Sequence, residues 1–233
     1  MAIELPSTPA LTLSLAVLVC GYLTVKCITP PNRTSNGWKN DYLSIYGNDA
    51  VIWICCTAIS GLFIYHIALI AAPEPMLELI CPNPSHVNPK LFSWNWFTST
   101  CLALAIIGAP LRLGAFNNLG KNFTFGLSQP DRLITSGIYQ YLQHPSYTGL
   151  MIVAAGSWAM ILRWDAAPGC VVSEHLFEKL QGWGSTVFVL AAFFIFQQVV
   201  VRTRQEEAML KEVFGAEWEQ WNKRTKRFLP GVY

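Results

Sequence analysis

Charged side chains are scarce in this sequence. Asp, Glu, Lys and Arg make up 13% of its 233 residues, against about 25% in an ordinary soluble domain. So little charge cannot cover a water-facing surface, which excludes a soluble globular protein. The seven cysteines include no C-x-x-C pair, which removes the usual metal or redox cluster. There is no internal repeat and no low-complexity tract. The stretch before the first apolar run has Glu4 and no Lys or Arg, and no A-x-A site follows. That run is therefore expected to be a retained helix rather than a cleaved signal peptide. No nicotinamide-binding motif is present, which argues against a membrane reductase. The net charge of +2 is too small to point to a partner. Neither a metal nor a nucleic acid is expected.

Apolar residues are abundant instead. They make up 52% of the chain, and the mean hydropathy is +0.34. Five runs approach the roughly 20 helical residues needed to cross a hydrocarbon core: residues 10–28, 51–72, 96–113, 147–162 and 183–201. The expected fold is an all-α integral membrane protein with about five transmembrane helices. With five crossings, alternate connections share a side. Thirteen of the sixteen Lys and Arg residues then fall on one side, and only Lys90, Arg163 and Lys179 on the other. The rule that cytoplasmic loops carry the excess of Lys and Arg makes the richer side cytosolic, with the C-terminus there. Cys81 and Cys170 both fall on the luminal side, which leaves a disulfide between them open. His86, in the Pro-rich luminal connection 73–90, reads as a solvated loop residue. The sequons Asn32-Arg33-Thr34 and Asn122-Phe123-Thr124 fall on the cytosolic side and are expected to stay bare.

One stretch has more chemistry than a helix end requires. Residues 135–147 hold Gly137, His144, Pro145, Ser146 and the tyrosines Tyr139, Tyr141 and Tyr147, set against the start of an apolar span. Polar chemistry packed against a membrane span is a functional hypothesis by default. A second such stretch begins at Arg202, where Arg202, Glu206 and Glu207 leave the last span. Apolar residues at Met209, Leu210, Val213, Phe214, Trp218 and Trp221 continue at helical spacing. They suggest an amphipathic helix in the membrane interface, with its tryptophans at headgroup depth. Two helices separate the loop from the tail, and two crossings return a chain to its starting side. His144, Tyr147, Arg202 and Glu206 are thus expected on one face. At this point Arg202 and Glu206 read equally as an exposed i,i+4 pair or as the two charged groups of a pocket.

The two stretches together resemble the isoprenylcysteine carboxyl methyltransferase family. The first block is Ile134-Thr135-Ser136-Gly137-Ile138-Tyr139 followed by His144-Pro145-Ser146-Tyr147-Thr148-Gly149. The second runs Arg202-Thr203, Glu206-Glu207, Leu210, Phe214-Gly215, Trp218, Trp221 and Pro230. The resemblance covers about the last hundred residues. It implies an S-adenosylmethionine-dependent methyltransferase of the endoplasmic reticulum membrane, with the amphipathic tail packed over a cytosol-facing cofactor pocket. Residues 1–115 would hold the first three spans and 116–233 the methyltransferase-like core. Leu133, Ile134, Tyr139, His144, Pro145, Ser146, Tyr147 and Glu206 would line the cofactor site. Arg202 would face the substrate and, with Gln143, take the catalytic positions. Besides the lipid bilayer, the implied partner is a prenylated protein C-terminus carrying a free carboxylate, or a small apolar acid. Gln143 stands where the family has Arg, and Trp218 and Trp221 where it has tyrosines. Gln143 removes a fixed cation, which leaves a terpenoid or lipid-like acceptor, or a non-catalytic binding role, open beside prenylcysteine.

Overall fold

The computed structural model describes residues 6–32, 41 and 44–229. The sequon residues Arg33 and Thr34, and Pro230 of the tail block, lie outside the described residues. Among the described residues eight α-helices follow in order: α1 (Thr8–Ile28), α2 (Asp49–Ala71), α3 (Glu74–Ile80), α4 (Trp96–Leu119), α5 (Pro145–Met160), α6 (Glu174–Leu180), α7 (Gly184–Phe214) and α8 (Ala216–Arg224). Among the described residues there is no β-strand, only an isolated parallel bridge between Leu142 and Lys226.

Among the described residues four helices are long and apolar enough to cross a membrane: α1, α2, α4 with the turn that extends it to Asn122, and α7. They coincide with the first, second, third and fifth apolar runs. The fourth run forms α5, which has 16 residues. At 1.5 Å per residue it rises about 24 Å, short of the ~30 Å hydrocarbon core. Helix α4 continues through Pro110 to Leu119, beyond the end expected at residue 113. The tail differs more. The sequence changes from apolar to charged at Arg202, yet α7 runs unbroken to Phe214. Backbone hydrogen bonding depends on spacing along the chain, so a change of side-chain polarity alone does not end a helix. The break comes at Gly215, whose φ of 49° is in the region that glycine enters without the Cβ clash other residues meet. Helix α8 starts directly after it.

The chain divides into two compact units, residues 1–25, 57–106 and 153–192, and residues 26–56, 107–152 and 193–233. In the first, Leu13, Val17 and Cys20 of α1 pack with Phe63 of α2, Cys101, Leu102 and Ala105 of α4, and Met160 and Ile161 at the end of α5. Thr24 and Ser157 share a buried hydroxyl hydrogen bond of 3.0 Å. A second cluster surrounds Cys81 and Cys170, which form a disulfide. His86 is not the solvated residue its Pro-rich surroundings suggest. It is 2% exposed, stacks on Phe177 with ring centroids 4.0 Å apart, and bonds through its two ring nitrogens to the Val172 carbonyl at 3.1 Å and Glu174 at 2.7 Å. Proline spacing marked the loop as irregular but carried no sign of the helix α6 that folds over it.

In the second unit, α4 and α5 pack backbone to backbone. A Cβ at Gly149 would lie 2.6 Å from the Arg112 nitrogen and 2.7 Å from the Gly108 oxygen, so only glycine permits this contact. Trp218 and Trp221 of α8 pack with Tyr139 and Ala115 into a small core. Both are 7% exposed, and the Trp221 indole donates to the Tyr139 carbonyl at 2.8 Å. They are core residues, not the lipid-facing belt that their spacing suggests. Their periodicity showed that one face is apolar but not what covers it.

Candidate active site

The motif loop and the tail are joined by main-chain hydrogen bonds within the second unit. The Gln143 and His144 amides donate to the Lys226 and Arg227 carbonyls at 2.7 and 2.9 Å, and the Lys226 amide donates to the Tyr141 carbonyl at 3.2 Å. Thr148 Oγ1 donates to the Phe228 carbonyl at 2.8 Å. The loop turns into α5 at Pro145, which suits a helix start because it has no amide proton to satisfy there.

These contacts assemble a charged cluster. Tyr147 donates its hydroxyl to Glu206 at 2.6 Å. His144 lies 3.5 Å from Glu206 and 3.2 Å from Glu207 through its two ring nitrogens. Glu207 also accepts from Arg227 at 2.8 Å. Arg202 donates to Glu206 at 3.1 Å, to Asp41 at 2.9 Å and to the Phe125 carbonyl at 2.8 Å. Burial settles the two readings of Arg202 and Glu206: Arg202 is 5% exposed, so the pair is internal. Burial disfavours the charged form of His144, but its hydrogen bonds to Glu206 and Glu207 outweigh that and raise its pKa above the usual histidine value. Burial, with the Glu206 charge nearby, pushes the Tyr139 phenol well up, so it stays protonated.

A hollow opens beside the cluster. Its volume is about 120 Å³. Leu133, Ile134, Tyr139, Gln143, His144, Ser146, Tyr147, Arg202 and Glu206 all line it. Pro145 does not. It is buried beneath as the first residue of α5. The remaining walls are mainly apolar, with Leu119, Phe123, Leu127, Met209 and Leu210, and Trp221 closes one side.

Gln143 reaches the hollow but directs its donors elsewhere. Its side-chain nitrogen donates to the Asn222 and Thr225 carbonyls, both at 3.2 Å, and to Thr225 Oγ1 at 3.1 Å. It caps the end of α8, while its oxygen is buried with no partner. Reading the sequence did not identify Asp41, which pairs with Arg202 and also accepts from the Leu127 amide at 2.7 Å. Nothing in the polar segment around Asp41 distinguishes it. It also did not identify Arg112. A cation inside a span was a usable signal for that residue. Among the described residues no cluster of three or more metal-ligand side chains occurs.

The fold and this site define a multi-pass membrane protein with a charged hollow built from a helix-entry loop and a returning tail. Residues 101–181 match the model of the isoprenylcysteine carboxyl methyltransferase (ICMT) family. Protein-S-isoprenylcysteine O-methyltransferases of Mus musculus and Homo sapiens are each 30% identical to it over 148 residues, covering 62% of this chain and 45% of theirs. The enzyme of Dictyostelium discoideum is 28% identical over 148 residues, covering 62% and 52%. The chain thus spans about half the length of the curated relatives it matches. A solved structure of the eukaryotic intramembrane Ras methyltransferase ICMT superposes on 95% of this chain and 74% of that one, at 20% identity and a TM-score of 0.45. That superposition is too loose to transfer any residue's role.

Proposed function

We propose that the protein is a membrane-embedded, S-adenosylmethionine-dependent methyltransferase that forms a methyl ester on the carboxylate of a prenylated cysteine or a similar apolar acid. Residues 116–233 would supply the core of its site, completed by Asp41 and Arg112. The observation that carries this reading is the closure of the motif loop and the tail on one hollow through Tyr147, His144, Arg202 and Glu206. The relatives' names support the choice of acceptor.

The residues present fit the cofactor. The hollow has a Glu206 carboxylate for a ribose hydroxyl or an amine, and apolar walls for an adenine ring. The Gln143 side-chain oxygen is an acceptor that no group among the described residues uses. When bound, S-adenosylmethionine supplies a methyl group already activated on a sulfonium. The protein's part is then mostly placement. A carboxylate acceptor is ionised at neutral pH, so no side chain has to remove a proton. His144 and Tyr147 hold Glu206 in one orientation, and Arg202 fixes the same carboxylate against Asp41. The main-chain pairing of tail and loop closes the floor, where His144, Ser146 and Arg202 are each 5% exposed. Excluding water and aligning the reactants are the main contributions such a site makes.

The orientation belongs to the same reading. The disulfide sits in connections that alternate along the chain with those carrying the pocket residues. Disulfides persist in oxidising compartments such as the lumen of the endoplasmic reticulum. A chain that crosses at α5 as well as at α1, α2, α4 and α7 then presents the loop and the C-terminal tail to the cytosol, where a soluble cofactor enters. Membranes containing the protein, incubated with labelled S-adenosylmethionine and a farnesylcysteine analogue, are expected to yield a base-labile methyl ester. No ester from that analogue or from a panel of apolar acids would overturn the reading.

A further inference from the structure

Arg112, on α4, is a buried cation with no acid beside it. It is 3% exposed, and among the described residues no carboxylate lies within ion-pair distance of it. Its Nε donates to the Cys27 carbonyl at 3.1 Å. The rings of Phe116, Phe123 and Phe125 lie 4.7, 5.4 and 5.3 Å from its Cζ. Burying a charge without an opposite charge is costly, and aromatic faces return only about 0.5–2 kcal/mol. Arg202 differs, because Asp41 and Glu206 already balance it.

Arg112 has one link to the hollow. Its Nη1 donates to Ser146 Oγ, and Ser146 lines the hollow. Ser146 therefore accepts through its oxygen, while its own proton has no acceptor among the described residues. A hydroxyl that accepts from a guanidinium is polarised and becomes a stronger donor. Gln143 cannot take this role, because its donors are held on the end of α8.

We propose that Arg112 and Ser146 form the carboxylate-recognising element of the pocket. Ser146 donates its hydroxyl proton to a ligand carboxylate, and Arg112 is a positioning residue behind it that supplies the balancing charge. This rests on the methyltransferase reading, under which two ligands bring a carboxylate: the methionyl group of the cofactor and the methyl acceptor. The unbalanced charge on Arg112 is present before either binds, so the pocket favours an anion over a neutral ligand of the same shape.

The test uses the full-length protein in detergent or nanodiscs. Binding of S-adenosylhomocysteine and of 5′-methylthioadenosine, which lacks the carboxylate, is measured by calorimetry, and KM is measured for a farnesylcysteine analogue. Ser146→Ala and Arg112→Gln are expected to weaken the carboxylate-bearing ligand about 10–100-fold, the loss of a charge-assisted hydrogen bond. Methylthioadenosine binding should hold, and Arg112→Lys should recover part of the loss. A weaker S-adenosylhomocysteine affinity identifies the cofactor's carboxylate as the one recognised. A raised KM with unchanged cofactor affinity identifies the acceptor's. Arg112→Gln also changes the packing of a buried site, so Ser146→Ala, which removes a single oxygen, is the arm that decides. Wild-type affinity and KM in a folded Ser146→Ala protein, or equal weakening of methylthioadenosine, would overturn the proposal. Failure of the wild-type protein to bind S-adenosylhomocysteine would instead count against the methyltransferase reading itself.

Discussion

Replacing Arg202 by leucine leaves Asp41 and Glu206 without their shared cation. Removing one partner of a buried ion pair costs about 3–5 kcal/mol, so Arg202→Leu should show a clear fall in melting temperature in detergent, beyond any loss of activity. Glu206→Gln tests a different property. It keeps the shape but removes the charge that the Tyr147 hydroxyl and Arg202 meet, and should weaken S-adenosylhomocysteine binding by about 1.5–3 kcal/mol, read by calorimetry. His144 gives the pH dependence. Its folded-state pKa is raised, so protonated His144 stabilises the fold fully below its unfolded value of about 6.5 and loses that contribution as pH rises through the folded value. The stability gap between wild type and His144→Gln should therefore narrow as pH increases from about 6.5 upward. A gap that widened would show that the ring is held neutral. His144, Tyr147, Arg202 and Glu206 were legible as a group from the two motif blocks, which the structure joins by hydrogen bonds. Asp41 and Arg112 were not, since their roles depend on distances that no local pattern encodes.

At the level of elements, two glycines carry the tail and the helix contact. Gly215 turns the chain from α7 into α8 at a φ of 49°. A β-branched residue there costs on the order of 1–3 kcal/mol. Gly215→Val is expected to loosen α8, shifting the emission of the buried Trp218 and Trp221 to the red and lowering cofactor affinity, since Trp221 lines the hollow. Unchanged fluorescence would mean that main-chain pairing at Leu142–Lys226 holds the tail without the turn. The long helices α1, α2, α4 and α7 followed from hydrophobic length. The helix ends and the tail's partner did not. Periodicity assigned Trp218 and Trp221 to a lipid interface, because an apolar stripe looks the same whether lipid or protein covers it.

For the molecule as a whole, the Cys81–Cys170 disulfide closes 89 residues of chain separation. Cross-links of this kind typically contribute about 2–4 kcal/mol by restricting the unfolded chain. Reduction with dithiothreitol, or Cys81→Ser, should lower the melting temperature accordingly. The sequon at Asn122-Phe123-Thr124 should stay unglycosylated when the protein is made in microsomes. A glycan there would invert the orientation. Composition and run length were enough to establish a helical membrane protein, because the bilayer sets a length and an apolarity that a sequence either meets or does not. The two motif blocks were enough to suggest the family. Only the tertiary structure decided which charges neutralise each other, that the Gln143 side-chain nitrogen caps a helix, and that Arg112 has no carboxylate at ion-pair distance among the described residues. Those outcomes depend on burial and on distances of a few ångströms between residues far apart in the chain, where electrostatic energies change steeply with both.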